Sequence, residues 1–164
     1  MPTLPAHLFL GRSTTTGPVI GCYVMIPFGP FTIAASQTDL VQCAKQLPYD
    51  FRLERIAGTA RVKSTAVSLK FYSGATRGAL TTNLISAANL DLAANGTFSI
   101  LPSGETSVPS GTTLSTVAGV RDLAKGTFIN LAGTTDATAG GTIDVNIQLF
   151  GFITGHPNVD PAND

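Results

Sequence analysis

The chain has 164 residues, zero formal charge and 12% charged side chains, about half of the ~25% found in an ordinary soluble domain. A chain of that length makes one domain with a real core and needs no disulfide scaffold. The basic residues are scattered from Arg12 to Lys125 and interleaved with acids, which excludes the clustered cations a nucleic-acid partner requires, and no run is apolar for the ~18 residues of a transmembrane helix.

Threonine outnumbers all charged residues together, with Gly, Pro, Ser and Asn filling much of the remainder. That mixture favours strands joined by many turns, because β-branched side chains suit a pleated surface and Gly, Pro and Asn supply turn dihedrals. A near-neutral surface also gives little protection against self-association, so a partner is expected, and the first candidate is a second copy.

Residues 1 to 18 hold three prolines, the Thr14-Thr15-Thr16 run and the Gly17-Pro18 break, and read as an extended arm without a core of its own. The arm has no basic region ahead of an apolar run, so no secretory signal is expected. Val19 to Ile26 is apolar almost throughout, the pattern of a strand covered on both faces, and Pro27, Gly29 and Pro30 are expected to end it. Val24, Met25, Ile26, Phe28 and Phe31 are the candidate assembly residues, with packing on their own sandwich as the competing role.

Period-two alternation marks Tyr49 to Ile56, with Phe51, Leu53 and Arg55 set against Arg52, Glu54 and Ile56, and it gives out at Ile56. It resumes in Thr59 to Tyr72, with Val67, Leu69 and Phe71 inward. Leu80 to Leu92 predicts a short helix or an irregular crossover. Asn95-Gly96 and Pro102-Ser103-Gly104 bracket a short strand, Thr97 to Leu101, and Pro109-Ser110-Gly111 opens another around Thr113 to Val117. Thr127 to Leu131 is a strand. Thr142 to Thr154 is predicted as the longest, with Ile143, Val145, Ile147 and Leu149 on one face and a bulge near Phe150-Gly151. The fold these elements predict is all-β, a double-sheet antiparallel β-sandwich of jelly-roll type with an extended N-terminal arm. An immunoglobulin-like sandwich is the rival, disfavoured by the absence of Trp from a core that would be built around one. Residues 1–35 make the arm and first strand, 36–155 the sandwich, and 156–164 a flexible tail.

Reactive side chains are sparse. His7 lies in the arm and His156 in the tail, so neither is placed for orientation by a carboxylate. Glu54, between Arg52 and Arg55, reads as a surface charge paired across the strand rather than an acid or base. Asp136 and Asp144 lack the carboxylate cluster of a calcium loop. Gly140-Gly141 precedes a strand and reads as a turn, without the helix N-terminus that holds a phosphate. Asn95-Gly96-Thr97 matches a glycosylation acceptor, but Asn-Gly is also a hairpin dipeptide, and the turn is preferred. Tyr23, Tyr49 and Tyr72 sit inside strand patterns and are assigned to packing. Cys22 and Cys43, both apolar-flanked, are read as core thiols in preference to a disulfide. No enzyme activity, metal, cofactor or small-molecule substrate is expected.

The order of features from residue 40 to 154 resembles the small β-sandwich proteins that tailed bacteriophages place on their heads. It is carried by Arg52-Leu53-Glu54-Arg55-Ile56-Ala57-Gly58-Thr59-Ala60 leading into Val67-Ser68-Leu69-Lys70-Phe71-Tyr72, a Ser/Ala-rich crossover, Leu123-Ala124-Lys125-Gly126-Thr127-Phe128-Ile129-Asn130-Leu131, a Thr/Ala/Gly loop, and Ile143-Asp144-Val145-Asn146-Ile147-Gln148-Leu149. Virion proteins of tails, collars and fibres share this style. The resemblance implies a head decoration, or cement, protein: a homotrimer on the virion surface, assembled in the host cytoplasm, that binds the major capsid protein and locks neighbouring subunits. The alternative is a receptor- or carbohydrate-binding sandwich of a phage tail, fibre or bacterial adhesin, favoured by Thr, Asn and Gly loops and disfavoured by the lack of Trp.

Overall fold

The computed structural model describes residues 8–12, 18–62, 67–92, 95–136 and 142–154, without the side chains of 8–12, 18–22, Gln42 and Val62. Strands and no helix occur among these residues: β1 (Leu8–Arg12), β2 (Pro18–Ile33), β3 (Leu40–Gln46), β4 (Phe51–Val62), β5 (Val67–Gly74), β6 (Thr82–Asn83), β7 (Leu90–Leu92), β8 (Gly96–Ile100), β9 (Asp122–Leu123), β10 (Phe128–Thr135) and β11 (Ile143–Ile153). They form two antiparallel sheets. One has the order β1-β2-β11-β4-β8, with β9 also on β4, and the other has the order β3-β10-β5-β6, with β7 also on β5. The chain crosses between the sheets from β2 to β3, β3 to β4, β4 to β5, β7 to β8, β9 to β10 and β10 to β11. The all-β sandwich expected from the sequence is the observed architecture.

Alternation builds the core. Ile143, Val145, Ile147 and Leu149 of β11 point inward beside Phe51, Leu53 and Ile56 of β4, against Leu69 and Phe71 of β5 and Ile129 and Leu131 of β10. Each large apolar side chain so buried contributes about 1.5–3 kcal/mol relative to exposure. Lys45 of β3 lies 5.5 Å from the Phe28 ring centroid, covering the edge of the core with its stem and charge.

Several local expectations change in three dimensions. β2 does not stop at Pro27 but runs to Ile33 and is the longest strand, ahead of β11. Among the described residues it pairs beyond Cys22 with β11 on one side, while β1 pairs with it from Pro18 to Cys22, and a strand side without a ladder partner is where proline is tolerated. The kink is absorbed as a bulge between Phe28 and Phe31, opposite Val145 to Ile147, with Gly29 at φ 100°, a left-handed value suited to glycine.

β4 likewise continues past Ile56 to Val62. Its register against β11 slips at Phe150/Gly151, and the unmatched residue is Glu54 on β4. That extra residue reverses the alternation, so Arg55 turns outward and Ile56 inward. The bulge expected near Phe150 therefore exists, but its additional residue sits on the neighbouring strand and β11 keeps its phase through the buried Gly151.

The 80–92 segment is neither a helix nor a crossover: it carries β6 and β7, both paired with β5 in the second sheet, and the chain crosses only after Leu92. The Asn83 side chain bonds the Ile85 N–H and Ala87 carbonyl, offering the backbone an alternative to helical turns. No strand forms at Thr113 to Val117; Leu114 is held by a single bridge to Ile85. Cys43 is a free thiol at partial exposure, and its pKa is raised by burial. The Cys22 side chain, the histidines, residues 1–7 of the arm and the 155–164 tail lie outside the described residues.

Candidate functional site

The outer face of the first sheet carries a cluster that follows from register. Tyr23, Phe152 and Arg52 align across β2, β11 and β4, and Met25, Phe150 and Arg55 form the adjacent row. All lie opposite the inward set of β11. Tyr23 packs edge-on against Phe152 at 5.0 Å and nearly parallel to Phe150 at 6.2 Å between centroids. The Arg55 guanidinium sits 5.4 Å from the Phe150 centroid, and its Nε donates to Ser99 Oγ at 3.0 Å. Tyr23 remains 42% exposed and Met25 50% exposed, while Phe150 and Phe152 are half-buried.

The bulge residue Glu54 organises its rim. Its carboxylate accepts from Arg52 Nε at 2.7 Å and Arg121 Nη1 at 3.3 Å, and Arg52 Nη1 reaches Asp122 at 3.3 Å. The hydrogen bond to Glu54 raises the Arg52 pKa further. Partial burial pushes the Tyr23 hydroxyl pKa up, with Arg55 opposing and Glu54 reinforcing the shift. Glu54 is thus an ion-paired surface group, with Arg121 rather than Arg55 as its second partner.

Beside the patch, a shallow trough of about 170 Å³ runs over Arg55, Thr59, Thr97, Asn146 and Gln148. A wider cleft of about 460 Å³ opens among Ser73, Thr82, Val120, Asp122 and Thr127. Each has one titratable side chain on its lining, Arg55 and Asp122 respectively. Among the described residues no group of three or more His, Cys, Asp and Glu converges as metal ligands. Asp144 instead accepts from Thr32 Oγ1 at 2.6 Å.

Of the five residues proposed from sequence for assembly, Met25 reaches this outer face. Val24, Ile26 and Phe31 pack against the core at partial exposure, and Phe28 is buried. Tyr23, Phe150, Phe152 and Arg55 were not among them. The signal was present in Leu149-Phe150-Gly151-Phe152, a strand end apolar on both faces.

No family model and no curated protein matches the chain. A chain of the solved Nora virus structure aligns with 97% of this chain and 68% of its own length, at 14% identity and a TM-score of 0.34. A likeness at that level assigns no function.

Proposed function

We propose that the chain is a virion structural protein: a jelly-roll capsid decoration or cement protein that binds the outside of a phage head as a homotrimer and stabilises contacts between subunits of the major capsid protein. The observation that carries this reading is the strand order. The order β2-β11-β4-β8 in one sheet and β3-β10-β5-β6 in the other, with the chain alternating between them, supports a double Greek key jelly roll, an architecture used by capsid and lectin domains.

Within that architecture, the exposed Tyr23-Met25-Phe150-Phe152 face favours adhesion over catalysis. Its two exposed members, Tyr23 and Met25, sit beside the Arg52–Glu54–Arg121 ion pairs, an apolar centre with a polar rim as in a protein interface. Several modest contacts repeated on one lattice multiply into tight binding, by about 10²–10⁴ when geometry permits simultaneous engagement.

The test is cosedimentation of purified protein with capsid shells that lack it, followed by thermal disruption of the shells. Stoichiometric pelleting and a raised disruption temperature are expected. Protein that stays in the supernatant, and is retained instead on an immobilised glycan surface, overturns the reading in favour of a receptor-binding sandwich.

A further inference from the structure

We infer that the cleft between β9 of the first sheet and the β5–β6 pair of the second is a binding site for a neutral saccharide. Its volume of about 460 Å³ is in the range of small-molecule sites, about 300–1,000 Å³. Ser73 is the residue that points to a ligand. It is buried at 7% exposure on the inward face of β5, and it lines the cleft. The buried side chains of Ser107, Ser115, Asn130 and Thr135 each hold a hydrogen bond within the chain. Among the described residues the Ser73 hydroxyl has no such partner; Thr112 shares that state but is not on this lining. A buried hydroxyl left unpaired is costly, and one that lines a cleft can pair with what enters it.

The rest of the lining narrows the ligand. Thr82 and Thr127 add two hydroxyls, Asp122 adds a carboxylate, and Val120 and Leu123 add apolar surface. Hydroxyls donate and accept, whereas a carboxylate only accepts, so a molecule that satisfies all of them carries several hydroxyls of its own and an apolar C–H face. A sugar ring has both. The charge on the lining is negative, which disfavours phosphate, sulfate and carboxylate groups, and a lone carboxylate falls short of what a calcium ion gathers. The walls are set in advance by turns: the Asp122 N–H donates to the Gly119 carbonyl and the Thr127 N–H to the Ala124 carbonyl, both at 3.1 Å, with Gly119 and Gly126 at φ 78° and 86°. Arg52 Nη1 orients the carboxylate through Asp122 Oδ1 at 3.3 Å. Such preorganisation lowers the ordering cost of binding.

This site goes beyond the virion reading and is tested on the free chain, so a protein that pellets with shells and also binds a sugar satisfies both. Galactose, glucose, mannose and N-acetylglucosamine should be titrated singly to about 50 mM into the isotopically labelled full chain. At least one should shift the amide signals of Ser73, Val120, Leu123 and Thr127 saturably, and sodium sulfate at the same concentration should leave them unmoved. Ser73→Ala should weaken binding about tenfold while keeping or raising the thermal midpoint, because the hydroxyl it removes has no partner in the protein. Asp122→Asn should weaken binding by about tenfold as well. Sugars that leave all four amides unmoved, binding that neither variant alters, a stronger response to sulfate than to any sugar, or a lowered midpoint for Ser73→Ala overturns the proposal.

Discussion

Ile33 of β2 fills the space that a Cβ on Gly133 of β10 would occupy. The pair bridges the two sheets, and both residues are buried. Close approach of the layers there depends on a missing side chain in one strand and a branched one in the other.

Gly133→Ala should therefore cost about 1–3 kcal/mol through overpacking. At about 2–4 °C per kcal/mol for a chain of this size, thermal unfolding should register the loss clearly. Gly96→Ala is the matched control: nothing lies within 4 Å of its Cβ position, and a change within about 0.5 kcal/mol is expected.

Asn130 should behave as a latch for the loop after β5. It is fully buried, accepts from the Gly78 N–H at 2.8 Å and donates to the carbonyls of Ala79 at 2.8 Å and Thr76 at 3.2 Å. Asn130→Ala orphans these groups and should destabilise by about 2–3 kcal/mol. Hydrogen exchange should show the Gly78 amide losing protection ahead of the strand amides; uniform loss across the chain would contradict a local latch.

Lys70 and Asp39 form a pair at 2.8 Å. The Lys70 hydrogen bond holds the Asp39 carboxyl pKa below its ordinary value, and Asp39 raises that of Lys70. The aspartate contribution is therefore present above about pH 3.9 and lost as pH falls through the depressed pKa. The lysine contribution is present below about pH 10.4 and lost as pH rises through the elevated one. Both groups are partly exposed, so the total should not exceed about 1 kcal/mol. Urea unfolding of wild type and Asp39→Asn should differ by a constant amount from pH 5 to 9 and converge in strong acid.

Glu54→Gln removes the shared partner of Arg52 and Arg121. A loss of up to about 1 kcal/mol is expected in low salt, shrinking toward zero at 1 M salt, where the screening length is about 3 Å. A salt-independent loss would show that the bulge geometry, not the charge, is what Glu54 supplies.

Alternation made much of this fold legible. Phe51 and Leu53, the Val67-Leu69-Phe71 set, and Ile143 through Leu149 were assigned inward from period two alone, and they form the core. Lys45 of β3 lies over the Phe28 ring, a contact between strands of different sheets that alternation along either strand does not specify. Glu54 and Arg55 were misphased for a different reason. A bulge is a mismatch between two strands, and its reversal of alternation on β4 is set by the register against β11.

Composition and alternation thus determined the class of the molecule, because burying apolar residues every second position admits little besides paired sheets. Which residues meet on the outer face was decided by tertiary structure. Tyr23, Arg55 and Phe150 are far apart in sequence and become neighbours through the pairing of β2, β11 and β4, since register between strands is fixed by packing of the whole core rather than by any one strand's own sequence.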